Sequence, residues 1–191
     1  MNSHARRIAF AVALAFMPGL EAGAAELKGV QMPDTELVGA TSLMLNGMGV
    51  RKTLIVKDVY VAGLYVEKSL EPPVKDENKI LESKTIKKLD LEFVMYVPGA
   101  SMRDAWEHGL KRNCREDCNF SEQLKTFKDW MRNFKRGERV GLVFYPAHVE
   151  VLINGESKGR LEGAKFSRTL LAVFIGNPPN QELKEGLLKL K

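Results

Sequence analysis

Apolar and polar residues alternate with a period of two from Leu43 to Arg51 and from Val59 to Lys68, the step at which a strand's side chains change face. A shorter run, Thr53 to Lys57, lies between them. Ile86 to Val97 alternates again, placing Leu89, Leu91, Phe93, Met95 and Val97 on one face. The interval around Glu71-Pro72-Pro73 and the charged stretch Lys75 to Glu82 predict a loop or short helix. The period then lengthens. Ser101 is placed to cap a helix through Trp106 and Leu110, with Asp104 near its positive end. Ser121 opens a second helix, whose apolar stripe is Leu124, Phe127, Trp130, Met131 and Phe134 and whose end is followed by Gly137. Strands return at Arg139 to Tyr145 and His148 to Ile153, Asn154-Gly155 makes a tight turn, and a further strand lies around Lys158 to Leu161. Ser167 to Ile175 is compact and apolar, ended by Gly176 and Pro178-Pro179, and a final helix from about Asn180 uses Leu183, Leu187 and Leu188. Strands, helices, strands, helices make one α+β domain, a mainly antiparallel sheet covered on one face by helices.

Arg51 is in phase with Leu43, Leu45, Gly47 and Gly49 if the strand is regular, which aims its guanidinium into an apolar cleft. A charge there is costly unless an anion or carbonyl meets it, and the guanidinium fork matches a carboxylate. The spacing thus points to an apolar molecule with an acidic head group; the alternative is a solvated turn residue just past a break at the glycines.

The first 24 residues read as a secretory signal, with residues 25–191 forming the single domain. Arg6 and Arg7 precede the apolar run Ile8 to Met17, Pro18 and Gly19 break it, and Ala22-Gly23-Ala24 offers the small residues of a cleavage site. The run is too short to span a bilayer. The expected address is therefore the periplasm or the outside. The 191-residue chain carries a formal charge of +5, falling to +4 without residues 1–24. That excess favours anionic surfaces without naming a partner, and no DNA- or RNA-reading signature accompanies it. Lys125, Lys128, Arg132, Lys135 and Arg136 lie opposite the apolar stripe of the second helix, as a solvated face or as a peripheral contact with anionic lipid. Cys114 and Cys118 are the two cysteines; in an oxidising compartment the pair points to a disulfide, with free thiols or metal ligation as the alternatives.

Gly49-Val50-Arg51, Val59 to Val66, and Phe174-Ile175-Gly176-Asn177-Pro178-Pro179 through Leu183-Lys184 resemble the chalcone isomerase-like family, in its bacterial exported branch, over roughly Val30 to Leu188. The resemblance implies an open-faced β-sandwich with a cleft between a large antiparallel sheet and a helical layer. It also implies one of two activities, chalcone cyclisation or fatty-acid binding, both using an arginine at the place of Arg51. Tyr60 is similar to the tyrosine that joins this arginine at the carboxylate in the binders, where the isomerases carry a threonine. Asp104 falls nearest to an active-site tyrosine of the isomerases, Lys111 or Asn113 to their asparagine, and Val173 to their last hydroxyl. These departures imply a non-catalytic binder with the head group at Arg51 and Tyr60. Its tail would be lined by the Leu43 and Leu89 strands and the Ser167 helix. A chalcone isomerase-type reaction and an interaction module with a closed cleft, working through the basic helix, are the alternatives.

The other chemistry is thin. Ser101 and His108 share a helix face without an orienting acid or a nucleophile elbow. His148 reads as a turn residue. Gly47-Met48-Gly49 lacks the rest of a dinucleotide motif. Asp90 and Glu92, after Lys87 and Lys88, fit a solvated sheet face. No cofactor is called for.

Overall fold

The computed structural model describes residues 23–53, 57–116 and 118–191. The signal reading, apart from Gly23 and Ala24, and Leu54 to Val56 of the predicted strand from Thr53 to Lys57 lie outside the described residues.

Two short strands, β1 (Ala24–Leu27) and β2 (Val30–Pro33), form a hairpin, and β3 (Thr35–Val38) leads into the main sheet. None of the three stands out in the sequence, because four-residue strands show too few alternations to read. The sheet continues with β4 (Thr41–Lys52), β5 (Asp58–Glu67), β6 (Lys87–Phe93), β7 (Arg139–Phe144), β8 (His148–Ile153) and β9 (Glu156–Glu162). β3 to β9 form a seven-stranded antiparallel meander in chain order. After β5 come a 3₁₀ turn at Lys68–Leu70 and the short helix α1 (Glu77–Glu82), capped by the Asp76 carboxylate at the Asn78 N–H, 2.8 Å. Helices α2 (Gly99–Asn113) and α3 (Ser121–Trp130) sit between β6 and β7, and α4 (Ala164–Ile175) and α5 (Gln181–Leu187) end the fold.

The helices cover one sheet face. Their apolar sides meet Ala62, Leu64, Leu89, Leu91, Phe93, Leu142 and Val151 in the principal core. On the other face the β1–β2 hairpin lays Val30 and Met32 over Leu43, Val50, Val61 and Tyr65 as a second, smaller core. α4 is buried almost all round because it lies between the sheet and the outer helices.

Several local expectations shift. α2 begins at Gly99 after Pro98, so Ser101 lies inside its first turn rather than at its cap. α3 ends at Trp130; Phe134, expected on its stripe, forms a β-bridge to Val97 and stacks on Phe93 at 4.6 Å. The side-chain phase also breaks. A bulge lies between Leu45 and Gly47, leaving Leu43 and Leu45 on the hairpin face and turning Gly47, Gly49 and Arg51 to the helical face. Asn46, at the bulge, is fully buried: its amide donates to the Val74 and Leu187 carbonyls and accepts from the Val74 N–H at 2.6 Å. Beyond Met44 the outer edge of β4 has no strand partner among the described residues, and Asn180 stands there instead. Its side chain donates to the Val50 carbonyl, 3.1 Å, and accepts from the Lys52 N–H, 3.4 Å.

Asp90 and Lys87 also depart from the solvated-face reading. Lys88 bridges Asp90, at 2.8 Å, and Glu36, with Asp90 itself buried. Lys87 points the other way, into the helical side, and is 5% exposed.

Candidate functional site

Arg51 and Tyr60 stand directly opposite each other where β4 and β5 meet the helical layer. After Phe93 the chain leaves the sheet, and the segment Met95 to Pro98 turns into α2, held by the Val97 bridge to Phe134. α2 then runs back over the sheet end. One side of it, from Ser101 and Met102 through Ala105 and Trp106 to Gly109 and Arg112, recurs at helical spacing and faces the gap. Val173 of α4 and Pro179 close the rest. Between these elements lies a cavity of about 420 Å³, within the range of small-molecule sites. Gly109 lets α2 pack closely on α4: a Cβ there would sit 2.7 Å from Val173 Cγ1, so a larger residue would force the Val173 side chain or the helix to shift.

The Arg51 side chain makes no hydrogen bond or ion pair among the described residues. Other partly buried cations do: Lys52 meets Glu182 at 2.5 Å, and elsewhere in the fold Lys184 meets Glu77 at 2.9 Å and Lys128 meets Glu107 at 2.7 Å. Tyr60 is buried, packed edge-on against Phe93 at 6.0 Å, with no partner for its hydroxyl among the described residues. Burial pushes that hydroxyl well above the ordinary phenol range, and the Arg51 charge pulls only partly against it. It is therefore a neutral donor at physiological pH. The arrangement offers a guanidinium fork and an O–H at one end of a mostly apolar cavity.

The structure thus brings Arg51 and Tyr60 together, although the phase argument for Arg51 fails. A regular strand would have put Arg51 on the face of Leu43; the bulge at Asn46 is what turns it inward. Tyr96 was missed. It also lines the cavity, two residues before the Pro98 from which positions along α2 are counted. Asp104, counted as the nearest counterpart of a catalytic tyrosine, is not among the lining residues. Lys111 is exposed and pairs with Glu107 at 2.8 Å, while Asn113 accepts from the Asn177 N–H and donates to its carbonyl, tying α2 to the turn after α4. Val173 does reach the cavity. Leu43 lies on the opposite sheet face and Leu89 inside the solid core, so of the three expected walls only the Ser167 helix contributes, through Val173, and the rest comes mainly from α2 and the Met95–Pro98 segment.

Ser101 and His108 both line the cavity, but no hydrogen bond joins them among the described residues. His108 donates through Nδ1 to the Asp104 carbonyl at 2.7 Å, where a hydrolytic triad would need a carboxylate. Cys114 and Cys118 are joined in a disulfide that clasps the connection between α2 and α3. The cations of α3 and the segment after it are largely matched: Lys125 with Asp129, Lys128 with Glu107, Arg132 with Glu138. Because the helix ends at Trp130, they do not form one continuous basic face.

Residues 24–189 match the family model described as chalcone isomerase-like. Among solved structures, the chain is similar to a fatty-acid-binding protein of Arabidopsis thaliana, at 19% identity and a TM-score of 0.71, over 88% of this chain and 97% of that one. No curated protein matches the sequence. With the family model spanning nearly all the described residues, and the antiparallel sheet, helical layer and cleft in place, the chain belongs to the chalcone isomerase-like family.

Proposed function

We propose that this protein binds a fatty acid or a similar apolar carboxylate without transforming it, with the head group on Arg51 and Tyr60 and the tail along α2. The observation that carries this reading is the Arg51 guanidinium, unpaired among the described residues, at a mostly apolar cavity. A half-buried cation left without a counter-charge gains most from a ligand that brings one. The structurally similar fatty-acid-binding protein of Arabidopsis supports the same class of ligand. Each buried methylene contributes up to ~0.8 kcal/mol, so the tail sets affinity and Arg51 sets orientation. The proposal places this activity in the periplasm or outside the cell, with residues 1–24 as the export signal, and requires no cofactor. Contact with anionic lipid would be peripheral, since the α3 cations are mostly paired already.

Native mass spectrometry of protein expressed with its first 24 residues, followed by denaturing extraction, tests the ligand and the processing together. A stoichiometric fatty acid that is absent from Arg51→Ala supports the reading. An empty protein that binds no member of a fatty-acid panel overturns it.

Tyr96 and the Tyr60 hydroxyl, which has no partner among the described residues, keep cyclisation of an enone or phenol as a second reading, because they put hydroxyls in the same cavity as the cation. Turnover of a chalcone panel that is lost in Arg51→Ala would favour it. The interaction module with a closed cleft has less support, since the described residues leave a cavity between the sheet and the helices.

A further inference from the structure

Lys87 occupies a core position. It sits on β6 between Val66 and Phe144, on the face that otherwise holds Leu89, Leu91 and Phe93, and is 5% exposed. Its ammonium makes one hydrogen bond, to the Ser83 carbonyl at the end of α1, 2.6 Å away. No carboxylate lies within ion-pair distance among the described residues. Glu67, the acidic group that acts on it, spends one oxygen on the Ile86 N–H at 2.6 Å. A buried ammonium with one hydrogen bond and no ion pair among the described residues is costly.

Lys87 borders a cavity of about 350 Å³, separate from the Arg51 cavity, under α1 and along one side of α4. Its walls include Leu81, Phe144, Pro146, Ala147 and Leu171. The remaining charge is Lys84, exposed at the rim, and Arg168, which is paired with Glu82. With Lys87 the cavity is therefore net positive and mostly apolar.

We infer that this cavity is a second binding site, for a small organic carboxylate whose charge meets Lys87 and whose short apolar body lies against Leu81, Phe144 and Leu171. The ammonium supplies the positive charge, and the volume holds a short-chain acid. Burial lowers the Lys87 pKa to about 8, with Glu67 acting against that shift. The groups facing it from the packed elements are Glu67 at the end of β5, Glu82 and Lys84 around α1, and Arg168 of α4. A bound carboxylate raises the pKa again, so binding weakens as pH rises beyond about 8.

The test is thermal unfolding with sodium butyrate or inorganic phosphate, at matched ionic strength, in an Arg51→Ala background that removes the other carboxylate site. Butyrate is expected to raise the melting temperature, and phosphate, which has no apolar body, to do little. Lys87→Met in the same background is expected to melt higher than its parent without ligand and to lose the butyrate shift. A butyrate shift that survives Lys87→Met, no shift at tens of millimolar, or a response to phosphate in place of butyrate overturns the assignment. Should Lys87→Met not fold, spectra of wild-type protein labelled at lysine Cε decide instead. One resonance, absent in Lys87→Arg, is expected to titrate near pH 8 and to move to higher pH with butyrate. A Lys87 resonance indifferent to butyrate rejects the site.

Discussion

The two faces of the sheet each carry a cation close to an apolar core, and they treat it in opposite ways. On the hairpin face Lys88 sits between Asp90 and Glu36, and Arg139 is paired with Glu92. On the helical face Arg51 has no counter-charge among the described residues and opens on a cavity. Neutralisation from within holds the first group in place as structure. Its omission at the second leaves electrostatic energy for an anion to recover. An unpaired charge in a cleft therefore says more about function than the number of charges on a surface.

The faces should also differ in how they tolerate added volume, and this gives the largest expected effect. A Cβ on Gly49 would lie 2.3 Å from the Leu183 carbonyl oxygen of α5, which is backbone. A Cβ on Gly63 would meet the Met32 sulfur, the movable end of a side chain, at 2.1 Å. Gly49→Ala should cost ~3 kcal/mol or more in denaturant unfolding and Gly63→Ala about 1 kcal/mol. Equal costs would remove the distinction between a rigid helical face and a yielding hairpin face.

Next in size is Arg51 itself. Arg51→Ala should weaken fatty-acid affinity roughly 10- to 100-fold, from the loss of charged hydrogen bonds, with Arg51→Lys between it and wild type. Its unfolding free energy should stay level or rise, because no pair among the described residues is broken. A fluorescent fatty-acid displacement assay and urea melts on the same samples check both halves.

Asp90→Asn sharpens the other side of the comparison. Burial raises the Asp90 pKa to about 6, against the pull of Lys88, so the folded protein holds that proton at a pH where the unfolded chain, near 3.9, has released it. Stability should therefore decline from about pH 4 to about pH 6 and level off above. Asn at this position should flatten that slope while changing stability at pH 7 by about 1 kcal/mol or less, since Glu36 still faces Lys88. The smallest effect belongs to Tyr60→Phe. Losing one neutral donor should reduce affinity roughly 2- to 10-fold and leave the melting temperature near wild type.

The order of strands and helices, the six longer strands and the pairing of Arg51 with Tyr60 could be read from alternation and from the family motifs. The direction of Arg51 could not, because alternation is carried across a strand only while its register is unbroken. Asn46-Gly47 was the available signal: both residues are poor strand formers, and a glycine inside a strand pattern marks a bulge. Tyr96 was hidden because it follows the last residue of β6, where alternation no longer states a face. Lys87 misled for a different reason. A lysine beside another lysine reads as surface, and only the position of α1 above it shows a buried ammonium.

Asn180 has a consequence beyond the fold. With one side-chain carbonyl and one amide it copies a single peptide unit of a missing neighbour, and it sets that copy against Val50 and Lys52. The bare margin of β4 would otherwise offer its backbone to a strand from another molecule, the first step of edge-to-edge aggregation. One asparagine, fixed after two prolines, thus guards the solubility of the strand that carries Arg51.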